Sequence, residues 1–142
     1  MENNTFKQSA QKAIKGLWNA FPMILGTILL ISLISVIVPK SFYVSVFSKN
    51  SFLDSFIGSL VGSISAGNPI TSYIFGGEML SQGVGLIAVT AFLVSWVTVG
   101  IIQLPAESTI LGKKFAILRN ITAFLLAIIV AIITILILGI II

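Results

Sequence analysis

The sequence has no cysteine and no histidine. These absences remove disulfides, thiolate metal sites, cysteine nucleophiles and imidazole bases together. Charge is nearly as scarce. Four acids, Glu2, Asp54, Glu78 and Glu107, join eight lysines and arginines to make up 8% of the 142 residues, against about 25% in an ordinary soluble domain. A surface facing water cannot be built from so few charges. No phosphate loop, zinc motif or nucleophile–base pair occurs, so neither an enzyme, a cofactor nor a metal site is expected.

What remains is apolar. Hydrophobic residues make up 57% of the chain, and the mean hydropathy is +1.15. A globule of this size would expose large apolar patches to water, so a lipid bilayer is the expected surrounding. The net charge of +4 comes from basic residues placed between apolar blocks, not along a stripe, which argues against nucleic acid as a partner.

Residues 1–16 place Phe6, Ala10, Ala13 and Ile14 at helical spacing, with Lys7, Lys12 and Lys15 mostly elsewhere on the wheel, and read as a basic juxtamembrane helix. The apolar block after them is longer than a signal-peptide core of about 7–15 residues, so the segment is expected to be retained. Charge-free stretches run over Leu17–Pro39, Ser55–Gly77, Met79–Ala106 and Asn120 onward. Crossing the hydrocarbon takes about 20 apolar residues. Full spans are therefore expected at 17–39, 84–104 and 118–142, with Trp18 as an interface aromatic and Trp96 as a packing residue.

The second stretch is interrupted. Pro69 offers no backbone N–H, and Asn68 before it is pushed out of the α region, so a helix must break at Gly67-Asn68-Pro69. Residues 52–82 then become two half-helices of about 14 residues, each about 20 Å long and too short to cross alone. They form either a re-entrant hairpin or one broken, tilted crossing. The hairpin puts Lys7, Lys12, Lys15, Lys113, Lys114 and Arg119 on one face and Lys40 and Lys49 on the other. The single crossing puts three and five. The positive-inside tendency favours the hairpin and a cytoplasmic N-terminus, in a multi-pass protein of the inner or plasma membrane.

The expected fold is thus all-α and membrane-embedded, one domain over 1–142, with three full spans and a re-entrant hairpin. An odd number of crossings puts the termini on opposite sides. Inverted-repeat transporters are built from two such units in opposite orientations, with broken helices meeting near the midplane. The chain reads as one half, its other half being a second copy or a paralogous chain.

Unpaired backbone is tolerated in a membrane where protein or a water-filled cavity surrounds it. Ser63, Ser65, Gly67, Asn68, Pro69, Thr71, Ser72 and Tyr73 are therefore the candidate lining of a substrate or ion route. Amides behind Pro69 would attract an electron-rich group, and carbonyls over Ser63–Ala66 a cation. The alternative is a kink satisfied by neighbouring helices. Glu78 and Glu107 are candidates for proton or ion coupling. Glu78 could instead reach interfacial water, and Glu107 could pair with Lys113, Lys114 or Arg119. Asp54 reads as a first-turn acid. Gly58 and Gly62, flanked by Ser55, Ser59 and Ser63, form a small-residue face for close helix packing.

Three blocks, GSISAGNPITSYIFGGEML (62–80), AVTAFLVSWVTVGIIQLPAES (88–108) and LGKKFAILRN (111–120), resemble in order the predicted permeases related to ArsP, the organoarsenical efflux permease. The resemblance implies a permease fold and a central site around two copies of the break. It supplies no substrate, because the chain has no thiol for trivalent arsenic, and Met23 and Met79 are weak ligands. The expected function is secondary transport of a small solute or ion by an antiparallel dimer. A channel-like pore and a non-transporting membrane scaffold are the alternatives.

Overall fold

The computed structural model describes residues 2–47, 50–65 and 67–141, and every regular element among them is an α-helix. Lys49 of the charge count and Ala66 of the proposed carbonyl set lie outside the described residues. The chain divides into two units, one ending at Ile37 and one beginning at Val38.

The first unit is a single helix, α1 (Glu2–Ile37). From Glu2 to Ile37 the basic segment and the first expected span are therefore one continuous rod. Pro22 lies inside it without ending it. Leu17, Trp18, Phe21, Leu29 and Leu33 are exposed, as suits a helix whose apolar surface meets lipid.

The second unit contains α2 (Lys40–Val46), α3 (Ser51–Ile64), α4 (Pro69–Ser81), α5 (Leu86–Thr98), α6 (Leu104–Leu111) and α7 (Lys113–Ile141). Helix α3 turns the soluble pattern inside out. Its small residues Ser55, Gly58, Ser59, Gly62 and Ser63 are buried, while Phe52, Leu53, Leu60 and Ile64 are exposed. This arrangement places backbones in contact. A Cβ on Gly58 would lie 2.2 Å from the Ala88 carbonyl oxygen, and one on Gly62 would lie 2.4 Å from that of Phe92. Because 58 meets 88 and 62 meets 92, α3 and α5 run parallel. Helix α4 runs the other way along α5, with Gly67 beside Trp96 and Gly76 beside Val89. Phe47, Met79, Val84, Ala88, Val89 and Phe92 form the apolar core among these helices.

Helix α7 lays Ala116, Asn120, Ala127, Ile128 and Ala131 on one buried stripe. Phe124 meets Phe56 of α3 edge-on, with ring centroids 5.5 Å apart. Gly112, at φ 88°, makes the turn between α6 and α7 in a conformation that a side chain would disfavour.

The expected uninterrupted span over 84–104 is not what forms. Helix α5 has 13 residues and stops at Thr98, so it reaches only about 20 Å. Continuing the helix would have required a hydrogen bond from residue 105 to the Ile101 carbonyl, and residue 105 is a proline whose ring also crowds that carbonyl. Val99 is extended, at φ −102° and ψ 120°, and a turn over 101–103 leads into α6. The 118–142 span likewise begins earlier, at Lys113, because Gly112 supplies the turn. Among the described residues, α1 from Phe6 and α7 are long and apolar enough to cross a membrane singly.

Candidate functional site

The first break, 65–68, follows the last turn of α3, whose carbonyls at Leu60, Val61 and Gly62 find local donors. Ser65 donates its N–H to Gly62 O at 3.1 Å and its hydroxyl to Val61 O at 2.7 Å. Ser63 donates its hydroxyl to Leu60 O. On the far side of the break, Asn68 is the N-cap of α4. Its Oδ1 accepts the Ile70 N–H at 2.9 Å, and its carbonyl accepts the N–H of Thr71 at 2.9 Å. Pro69 has no N–H to satisfy. The amides expected to attract a ligand are therefore used by Asn68 itself, and the start of α4 is a closed cap.

The second break, 99–103, is held by side chains of α7. Asn120 accepts the Gly100 N–H on Oδ1 at 2.8 Å. Its Nδ2 donates to Ala116 O at 2.9 Å and to Glu107 Oε2 at 3.1 Å. Arg119 donates from Nη2 to Thr98 O at 3.1 Å, satisfying a carbonyl left over at the end of α5. Its Nη1 forms an ion pair with Glu107 Oε1. Of the three basic partners considered for Glu107, Arg119 is the one engaged.

The two breaks are neighbours. The Ser63 carbonyl accepts the N–H of Ile101 at 3.4 Å, and Trp96 Nε1 points to the Gly67 carbonyl at 3.4 Å. Both contacts are long and weak. Trp96 also packs on Phe92 and Phe75, at ring-centroid distances of 5.3 and 5.9 Å. Between the breaks lies a cavity of about 50 Å³ whose wall includes Ser65, Gly67, Trp96, Gly100, Gln103 and Arg119. A larger apolar recess of about 360 Å³, lined by Leu60, Ser63, Asn120 and Phe124 among others, opens beside α3 and α7.

Of the residues expected to line a route, Ser65 and Gly67 reach the polar cavity. Asn68 and Pro69 build the cap beside it. Ser72 is buried, with its hydroxyl donating to Pro69 O. Tyr73 is 67% exposed and stands apart from the cavity. Glu78 accepts a hydrogen bond from Gln82 Nε2 at 2.6 Å. It lies nine residues along α4 from Pro69, about 14 Å by helical rise, and so is not grouped with Glu107. Gly100, Gln103, Arg119 and Asn120 were not anticipated as site residues. Pro105 was the signal for the second break, and Arg119-Asn120 inside an apolar helix was the signal for its partners.

A family model described as a predicted permease, ArsP_1, matches residues 7–139. The chain belongs to this permease family. Membership points to membrane transport in general, the role of a transporter and not of an enzyme. The match takes in both breaks of this permease and the α7 residues that service the second. Comparison with curated proteins and with solved structures gives no match.

Proposed function

We propose that this permease carries a small solute or ion through a route formed at its two adjacent helix breaks. The observation that carries the reading is the pairing of 65–68 with 99–103 around a polar cavity containing Arg119. Irregular backbone and a charged side chain are both costly in hydrocarbon, and transporters concentrate them where substrate passes. In this reading α3 and α4 form a re-entrant hairpin, α5 and α6 form one discontinuous crossing, and α1 and α7 cross as single helices. Taking Lys113 and Lys114 as the membrane surface puts Arg119 about 9 Å deeper along α7. The N-terminus is cytoplasmic by the same charge distribution.

The unit works with a second unit in the opposite orientation, either another copy or a paralogous half, so that two pairs of breaks face one another. The buried Gly58–Gly62 face packs against α5 within the chain, which argues against its use as a scaffold surface for another protein. Reconstitution into liposomes tests the function. Saturable uptake coupled to a gradient is expected of a carrier, whereas ohmic conductance would make it a pore, and folded but inert protein would refute transport. Reporter fusions at the C-terminus test the assembly, since one fixed orientation in cells expressing this chain alone excludes an antiparallel homodimer.

A further inference from the structure

We propose that the cavity between the breaks binds a small monovalent oxyanion, with Arg119 as its recognition residue and Glu107 as the internal anion that competes for it. The inference rests on the transport reading above and names the class of substrate that this site takes. Arg119 is one wall of the cavity. Two of its five N–H groups are engaged, one by Glu107 and one by the Thr98 carbonyl. The guanidinium is a cationic donor with no acceptor atom, so its side of the cavity does not hold a cation. Its planar fork matches an oxyanion in bidentate fashion.

The remaining wall supplies donors. Trp96 brings an indole N–H whose hydrogen bond among the described residues is the long 3.4 Å contact with Gly67 O, and Gln103 brings a side-chain amide. The nearby Thr98 carbonyl, which would suit a cation, already accepts a hydrogen bond from Arg119 Nη2. Size narrows the class further. A water requires roughly 10–15 Å³ by this measure, so about 50 Å³ suits an ion of formate or nitrate dimensions. The Glu107 carboxylate beside Arg119 offsets part of its charge, so a singly charged anion is favoured over a more highly charged one. When Arg119 turns to a ligand, Glu107 keeps the Asn120 Nδ2 hydrogen bond, so the ion pair opens without stripping the carboxylate of its partners.

The test uses the full chain carrying Trp18→Phe, which leaves Trp96 as the sole tryptophan. Sodium formate replaces sodium gluconate at constant ionic strength while Trp96 fluorescence is followed. A saturable change is expected. It should weaken roughly tenfold or more in Arg119→Gln, as loss of a charge-assisted hydrogen bond implies, remain detectable in Arg119→Lys, and shift to lower formate in Glu107→Gln. A linear, non-saturable response in the parent chain overturns the site whether or not the Arg119 variants fold, and an unshifted Glu107→Gln titration overturns the competition. Nitrate entry into proteoliposomes separates this inference from the transport reading. Saturable binding without any flux upholds the anion site and refutes the permease route; uptake of a neutral solute such as glycerol, unaffected by formate and without a formate response, does the reverse.

Discussion

The side chain of Asn120 accepts the backbone N–H of Gly100 at 2.8 Å, twenty residues away along the chain. One amide of α7 thereby completes the interrupted end of α5 while also binding Glu107 and Ala116. Asn120 is 5% exposed, and its loss leaves the half-buried Gly100 N–H without this partner. Asn120→Ala should lower stability by about 1–3 kcal/mol. Asn120→Asp should do no better, because a carboxylate keeps the acceptor for Gly100 but faces Glu107 with like charge. Thermal midpoints in detergent check both, together with proteolytic cleavage around 99–103, which should rise in each variant.

Close packing of α3 on α5 depends on two missing side chains. A Cβ at Gly58 or Gly62 would press on backbone oxygen, which cannot rotate away. Alanine at either position should therefore cost about 1–3 kcal/mol or more by overpacking. Gly77, on the open side of α4, has nothing within 4 Å of its Cβ position. Gly77→Ala should be neutral or stabilising by about 0.5–1 kcal/mol. Equal losses at all three positions, measured by thermal unfolding of purified protein, would contradict the α3–α5 packing.

How far the sequence carries the fold depends on which signals are local. The Gly67-Asn68-Pro69 break was legible because proline acts on its own backbone and on the residue before it. Membrane character was legible from the shortage of charge. The second break was hidden because Pro105 acts four residues upstream, on Ile101, and the apolar run across 84–104 otherwise satisfies the length of a span. The Glu107–Arg119 pair was among the pairings the sequence offered, but the bonds of Arg119 to Thr98 and of Asn120 to Gly100 were hidden for a different reason. A charge near Lys113 and Lys114 counts toward topology in a linear reading, and only the return of α7 past α5 brings it to the breaks. Capping showed the opposite failure, since the sequence suggested open amides at α4 and Asn68 folds back to close them.

The Glu107–Arg119 pair should behave as a coupled unit. The side chains are 16% and 35% exposed, so removing one partner leaves a partly dehydrated charge. Glu107→Gln and Arg119→Gln should each destabilise the fold, and the double variant should lose less than the sum. A coupling of about 0.5–3 kcal/mol is expected from a double-mutant cycle on thermal or denaturant unfolding. Strict additivity would mean that the pair contributes nothing beyond its separate contacts with Thr98 and Asn120.

The cap of α4 offers a way to disturb the route without touching the charged pair. Asn68 satisfies Ile70 through its side chain, and Asn68→Ala removes that bond at a cost of about 1 kcal/mol. Asn68→Ser restores a capping oxygen and should recover most of that loss. Pro69→Ala adds an N–H and frees the backbone to continue α3 into α4. If the break shapes the passage, both Asn68→Ala and Pro69→Ala should slow transport in proteoliposomes while membrane insertion, read by fractionation, stays at the parent level. Because the cap is local and α4 is anchored along α5 by Phe75 against Trp96, the fold should survive either change. Full transport activity in both variants would remove the first break from the route and leave the 99–103 segment with Arg119 as the only supported part of it.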